Sequence, residues 1–175
     1  GNIARLLHQM SQRNKATGGL RVALWALSST CLAAADIPRA LADFSLLGYQ
    51  CVETHGVRGA SRAEIAGVVV CIDPQQLRLL HVGSGQRNKR VVRKGRVLRV
   101  RLGVVGAPTQ VADFDVLACY MPTRSIGAGS GHDSAADKKA YVLRVWRHLG
   151  IATMALAAHG RLLVMGDLNA EMPVD

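Results

Sequence analysis

The stretch RLLVMGDLNA, residues 161–170, is the most informative part of this chain of 175 residues. Its apolar composition predicts a buried β-strand over residues 161–166. Asp167 and Asn169 follow two residues apart, which in an extended chain places both side chains on the same side. A carboxylate there can orient water or accept a proton, and a carboxamide can donate to a phosphate oxygen. The alternative is an ordinary turn, since Asp and Asn favour loops after strands.

Two further polar residues also end predicted strands. Glu53 ends a strand over residues 49–53, and a carboxylate at that position can bind Mg²⁺, which prefers oxygen ligands. Tyr120 ends a strand over residues 115–120, and its hydroxyl can donate to a phosphate. Each also has a simpler interpretation, a surface charge for Glu53 and a partly buried tyrosine with a bonded hydroxyl for Tyr120.

The remaining pattern predicts layers of helices and strands. A helix begins at Asp36 with Pro38 in its first turn and continues to about Leu47, and a second begins near Ser134 and ends at Gly150 or Gly160. The predicted strands cover residues 20–25, 49–53, 67–73, 75–82, 95–102, 115–120 and 161–166. Strands 67–73 and 75–82 are expected to form a hairpin. The fold class is therefore α/β, a layered sandwich with mixed, largely antiparallel sheet.

The composition excludes some classes of protein and favours others. Hydrophobic residues make up 49% of the chain, enough for a core, and no apolar stretch is long enough to span a bilayer. The four cysteines show no metal-binding spacing, so we expect buried thiols and an intracellular, reducing compartment. The net charge of +10 favours an anionic partner such as nucleic acid. It is equally compatible with a solubilising charge or a place in a larger assembly.

A basic segment in the middle of the chain sharpens this expectation. Between Pro74 and Ala112 there are nine Lys or Arg residues, among them Arg78, and no acidic residue. Such a ribbon can neutralise backbone phosphates without reading the base sequence. The alternative is a solvated strand face or one that docks on an acidic partner. The predicted nucleic-acid-binding residues are Arg87, Lys89, Arg90, Arg93, Lys94, Arg96, Arg99 and Arg101.

Six segments taken in order resemble the endonuclease/exonuclease/phosphatase family, with most likeness to its abasic-site and retrotransposon endonucleases. They are LRVALW from residue 20, VETH from 52, GVVVCID from 67, GRVLRVRL from 95, LACYMP from 117 and LLVMGDLNAE from 162. On this resemblance, residues 20–175 form a partial domain of that family and residues 1–19 are a basic N-terminal extension.

The resemblance implies Mg²⁺-assisted hydrolysis of phosphodiesters in nucleic acid. Glu53 would hold the Mg²⁺ and Tyr120 would contact the scissile phosphate. Asp167 would activate or position the attacking water, and Asn169 would orient that water or the phosphate.

Two departures from the family pattern point to an impaired or incomplete enzyme. The family's early metal-binding Asn corresponds to Ala26, which has no ligand atom. The family's Ser-Asp-His-like segment would follow the GDLN motif, beyond Asp175. The alternative is a non-catalytic structural or interaction subunit that binds protein partners in a larger assembly. A third possibility on the same fold is a phosphatase of inositol or sugar phosphates.

Overall fold

The computed structural model describes residues 2–16, 21–28, 30, 35–54, 67–83, 96–108, 113–121 and 135–169. Three helices and seven strands occur in these ranges. In chain order they are α1 (Asn2–Ala16), β1 (Leu24–Ser28), α2 (Ile37–Leu46), β2 (Gln50–Thr54), β3 (Val68–Ile72), β4 (Leu77–Gly83), β5 (Val97–Val104), β6 (Asp113–Tyr120), α3 (Ala135–Ala157) and β7 (Arg161–Asp167).

The described strands form two sheets. In sheet 1 the order is β1-β3-β2, and both pairings are antiparallel. In sheet 2 the order is β4-β5-β6-β7, antiparallel except for the parallel pair β6-β7. A parallel pair needs a long crossover connection, and the segment that contains α3 supplies it. The mixed, largely antiparallel pairing confirms the predicted fold class.

Three apolar clusters hold the layers together. The first lies between the sheets and joins β3 to β5 and β6, with Val70, Val100 and Val116 fully buried. The second packs α3 on the outer face of sheet 2 through Val145. The third packs α1 and α2 on the outer face of sheet 1 through Met10 and Phe44. Successive side chains of each strand point to opposite faces, so each sheet packs on the other sheet with one face and on helices with the other. The architecture is a four-layered α/β/β/α sandwich.

Helix α2 confirms the helix predicted from Asp36. Pro38 lies in its first turn, where a missing backbone N–H costs no hydrogen bond. Its buried residues Ile37, Ala40 and Phe44 recur every three or four positions and face the third cluster. Gly48 follows the helix with a φ of +79°, a left-handed conformation that favours glycine at a helix end.

The predicted hairpin between β3 and β4 is wrong, because the two strands belong to different sheets. Asp73 is 1% exposed, and its carboxylate accepts hydrogen bonds from the backbone N–H of Gln75 and the amide of Gln76. The N–H of Leu77 donates to the carbonyl of Asp73 at 2.9 Å. These bonds fix a tight turn that takes the chain from sheet 1 to sheet 2, where β4 pairs with β5.

Other boundaries differ from the prediction by a few residues. The first strand begins at Leu24, and α3 continues through Gly150 to Ala157. Residues 1–19 contain α1, and Met10 is fully buried in the same cluster as Phe44. No helix in the described part of the chain is long and apolar enough to span a membrane. The reducing compartment stays a prediction.

Candidate active site at the ends of β6 and β7

Most of the predicted catalytic residues lie at one end of the sandwich. The turn at Asp73 joins the sheets at the opposite end, where β1, β2, β4, β6 and β7 all begin. The last residues of these strands therefore share the other end. It carries Tyr120 on β6 and Asp167 on β7, and β1 packs against both strands.

Tyr120 and Asp167 are direct neighbours. They occupy paired positions in the parallel register of β6 and β7, so both side chains project from the same face of sheet 2. The pair before them, Ala118 and Met165, packs into the cluster between the sheets. Tyr120 is half-buried at the margin of that cluster, and Asp167 is exposed to solvent. A phenol and a carboxylate thus stand side by side where the packed interface between the sheets ends and Asp167 reaches solvent.

Gly166 explains why the motif needs a glycine before its aspartate. Its φ is +127°, and a Cβ at this position would lie 1.9 Å from the backbone oxygen of Cys119. No side chain fits so close to a backbone atom. The glycine therefore allows β7 to approach β6 at the point where the candidate site begins.

Asn169 shapes the turn that follows Asp167. Its φ is 46°, a left-handed conformation that Asn tolerates better than most residues. Its side-chain amide donates to the carbonyl of Met121 at 2.6 Å, and its backbone N–H donates to Asp167 Oδ1 at 3.0 Å. The N–H of Met121 donates to the carbonyl of Asp167 at 2.8 Å. These bonds tie the end of β7 to the end of β6 and fix one carboxylate oxygen of Asp167.

A buried thiol reports the electrostatics of the site. Cys119 is fully buried, and its Sγ lies 3.5 Å from the carbonyl oxygen of Met165. Burial, together with the negative charge of Asp167, raises the pKa of the Cys119 thiol to about 11. Cys119 is therefore a neutral, structural thiol near neutral pH.

Glu53 faces away from Tyr120 and Asp167. It pairs with Val69, whose side chain lies in the cluster under α1 and α2. Val52, one position earlier, instead packs against the cluster between the sheets. Alternation along β2 therefore directs Glu53 to the outer face of sheet 1. The structure does not bring its carboxylate together with that of Asp167, and its role as a Mg²⁺ ligand stays a prediction.

Sequence reasoning missed two hydroxyl residues at this end of the sandwich. Ser28 and Thr54 both pair with Val68, which packs into the cluster between the sheets. Both side chains therefore project from the face of sheet 1 that packs on sheet 2. Within the sequence they resemble ordinary loop residues after short apolar runs. Nothing in their local pattern could have identified them without the strand register.

The described residues do not by themselves form a Mg²⁺ site. Among them, no group of three or more His, Cys, Asp or Glu side chains is placed to hold a metal ion. Ala26 packs against the cluster between the sheets and offers no oxygen ligand there. A Mg²⁺ site beside Asp167 therefore stays a prediction.

The described part of the predicted nucleic-acid-binding ribbon makes internal ion pairs. Arg99 Nε donates to Asp115 Oδ1 at 2.9 Å, and Arg101 Nη2 lies 3.8 Å from Asp113 Oδ2. Carboxylates on β6 therefore offset much of the positive charge of β5. Five residues of the ribbon lie outside the described residues: Arg87, Lys89, Arg90, Arg93 and Lys94.

Arg96 is placed differently from Arg99 and Arg101. It is 6% exposed, and its Nε donates to the hydroxyl of Tyr141 on α3 at 2.7 Å. Its Nη1 donates to the carbonyl of Tyr120 at 3.3 Å. This burial weighs against the prediction that Arg96 contacts nucleic acid directly, because little of its surface can reach a phosphate.

Comparisons with known proteins identify the fold through structure alone. No protein-family model and no curated protein sequence matches the chain. The catalytic domain of APE2 from Xenopus laevis superposes with a TM-score of 0.67 at 16% identity, over 93% of this chain and 55% of that one. The human Nocturnin catalytic domain, solved with a bound sulfate anion, gives a TM-score of 0.59 at 12% identity, over 97% and 58%.

A further solved structure has the same fold. ANGEL2, a 2′,3′-cyclic phosphatase, gives a TM-score of 0.52 at 14% identity, over 93% of this chain and 43% of that one. All three are proteins of the endonuclease/exonuclease/phosphatase fold, which confirms the resemblance of the sequence at the level of fold. The chain spans between about two fifths and three fifths of the length of these structures.

Proposed function

We propose that the chain hydrolyses phosphodiesters of nucleic acid at the end of the sandwich where β6 and β7 end, with Tyr120 and Asp167 as the residues that contact the substrate. The observation that carries this proposal is their placement. A phenol and a carboxylate occupy paired positions at the ends of neighbouring strands, beside the packed interface between the sheets, in a nuclease and phosphatase fold.

Each side chain has a distinct chemical task in this proposal. Asp167 Oδ1 is held by the backbone N–H of Asn169, which leaves Oδ2 to orient a water molecule and accept its proton. The Tyr120 hydroxyl donates to a non-bridging phosphate oxygen and offsets the negative charge that develops there. Asn169 holds Asp167 through its backbone N–H, because its side-chain amide already donates to the carbonyl of Met121. It is therefore a positioning residue.

The choice of a polymeric substrate rests on charge. A net charge of +10 attracts a polyanion and favours contacts to backbone phosphates. Mg²⁺ is included in the proposal because the resemblance implies it and because the fold neighbours belong to a family that commonly uses divalent metals. When bound, it would supply positive charge to the phosphate.

A supercoiled plasmid with Mg²⁺ provides the direct test. We expect the wild-type chain to nick it and EDTA to abolish nicking. Asp167→Asn keeps the oxygen that accepts from Asn169 but removes the charge, so nicking should fall by roughly 100-fold or more. Asp43→Asn removes an exposed carboxylate from α2 and should leave the rate unchanged.

The outcomes separate the enzyme from the alternative function. Equal nicking by wild type and Asp167→Asn would show that this site does not perform the reaction. A folded chain that binds DNA without nicking it would indicate a binding module. A folded chain that neither binds nor nicks would favour the non-catalytic subunit, which the alanine at position 26 and the internal ion pairs of β5 also support.

A further inference from the structure

Arg96 is a basic residue whose contacts are not those of a surface phosphate ligand. It directly precedes β5 and lies opposite Tyr120, the last residue of β6. Burying a guanidinium is costly unless its N–H groups have hydrogen-bond partners. The partners of Arg96 belong to Tyr120 and Tyr141.

Both backbone polar groups of Tyr120 are bound to Arg96. The N–H of Tyr120 donates to the carbonyl of Arg96 at 2.8 Å, and the carbonyl of Tyr120 accepts from Arg96 Nη1 at 3.3 Å. The next residue, Met121, donates to the carbonyl of Asp167. The position of Tyr120 is thus set by Arg96 on one side and by the end of β7 on the other.

The guanidinium also contacts the aromatic rings. Its central carbon lies 5.2 Å from the ring centroid of Tyr120 and 5.7 Å from that of Tyr141, distances at which a cation is attracted to an aromatic face. The hydrogen bond from Nε to the Tyr141 hydroxyl is 2.7 Å long. A planar guanidinium can meet a ring with its face and an oxygen with its edge, which a lysine ammonium cannot reproduce.

We infer that Arg96 is a positioning residue, which holds Tyr120 in place for the phosphate and connects it to α3 through Tyr141. This inference rests on the proposed function for its catalytic meaning, but the contacts that carry it can be tested without activity. It also replaces the direct nucleic-acid contact that the sequence predicted for Arg96.

The chain contains three tyrosines, Tyr49, Tyr120 and Tyr141, which makes the test simple to read. Ring-labelled tyrosine gives one set of NMR signals for each residue, and Tyr49 lies under α2, in another cluster, as an internal reference. In Arg96→Met and Arg96→Lys we expect the Tyr120 and Tyr141 signals to shift or broaden while those of Tyr49 stay unchanged. Arg99→Met, which removes an arginine of the same strand that pairs with Asp115, should leave the Tyr120 signals in place.

A milder variant keeps the test decisive if Arg96 variants do not fold. Tyr141→Phe removes only the hydroxyl that accepts from Arg96, and the Tyr120 signals should still respond. If the Tyr120 signals stay at their wild-type positions in every folded variant at Arg96 and Tyr141, the inference is overturned, whatever the activity of the chain.

Kinetics add a second readout if the wild-type chain hydrolyses phosphodiesters. Misplacing a group that contacts the phosphate lowers turnover, so kcat should fall roughly 10- to 100-fold with KM nearly unchanged. A rise in KM at constant kcat would instead place Arg96 in contact with the substrate and overturn the positioning role. If the wild type is inactive, the proposed function fails separately, and the NMR result alone decides the role of Arg96.

Discussion

The ends of β2 and β7 look alike in the sequence and differ in the structure. Each is a short strand with an acidic residue at its last position or next to it, Glu53 in β2 and Asp167 in β7. Glu53 lies with Val69 on the outer face of sheet 1, which the helices α1 and α2 cover. Asp167 stands beside Tyr120 on the face of sheet 2 that packs on sheet 1. The difference teaches that an acidic residue at a strand end identifies a site only when the strand register is known.

The backbone around the two residues differs as well. At the end of β7, Gly166 and Asn169 both adopt positive φ values, and hydrogen bonds join the segment to Met121. The residues of β2, by contrast, form a regular strand with no positive φ value. If these φ values and hydrogen bonds hold the end of β7 against β6, substitutions at Gly166 and Asn169 should lower the free energy of unfolding.

The largest effect is expected from Gly166→Ala. Its Cβ would overlap the carbonyl of Cys119, so the free energy of unfolding should fall by about 4 kcal/mol or more. Urea unfolding followed by circular dichroism measures it. The control is Gly150→Ala in α3, where a Cβ meets open space and should raise stability by about 0.5–1 kcal/mol. Similar values for the two variants would contradict the close approach of β7 to β6.

A smaller effect is expected at Asn169. Asn169→Gly keeps the left-handed backbone and loses the hydrogen bond to Met121, which should cost about 1 kcal/mol. Asn169→Ala loses the same bond and adds a further cost of about 1 kcal/mol for the left-handed conformation. The same unfolding measurement checks the order. If alanine and glycine are equally destabilising, the backbone conformation at this position is not under steric constraint.

The smallest effect is expected on the thiol of Cys119. Asp167→Asn removes a negative charge that helps to raise the pKa of this thiol, so the pKa should fall from about 11 while remaining elevated by burial, the larger cause. An NMR titration of the labelled Cys119 Cβ should therefore show ionisation of the thiol at a lower pH in the variant. Glu53→Gln should leave this titration unchanged, because Glu53 lies on the outer face of the other sheet. A response to Glu53→Gln alone would reverse the comparison.

The same shift makes stability depend on pH. Burial raises the pKa of the Cys119 thiol to about 11, so the thiol binds its proton more tightly in the folded chain than in the unfolded chain, where an ordinary cysteine has a pKa of about 8.5. Its contribution to folding is therefore complete below that ordinary pKa and is lost as the pH rises to about 11.

The sequence predicted the order of most elements because they are recorded in local patterns. Helix α2 has a proline in its first turn and apolar residues at helical spacing, and β5 has apolar residues at every second position, Leu98, Val100 and Leu102, all of them buried. The hairpin failed because alternation shows which face of a strand is buried and not which strand lies beside it.

Contacts between distant residues could not be predicted in the same way. Arg96 belongs to a basic ribbon by its neighbours in sequence, yet its partner Tyr141 lies 45 positions away. Alternation along β5 puts Val97 on the same face as Arg99 and Arg101, yet Val97 is buried because α3 covers that part of the sheet. A single sequence shows neither of these tertiary contacts.

The parallel pairing of β6 and β7 has a consequence for synthesis on the ribosome. Met121 and Asn169, which join the two strand ends, are 48 positions apart. At typical elongation rates β7 follows β6 by roughly 2–10 s. Arg96 and Tyr120 are synthesised before this interval, so β5 and β6 can pair while β7 is still being made. During that time the edge of β6 that later pairs with β7 has no partner strand. This edge of β6 is therefore a place where the nascent chain can pair with a wrong strand. Slower translation of the codons for α3 would lengthen the time during which it is unpaired.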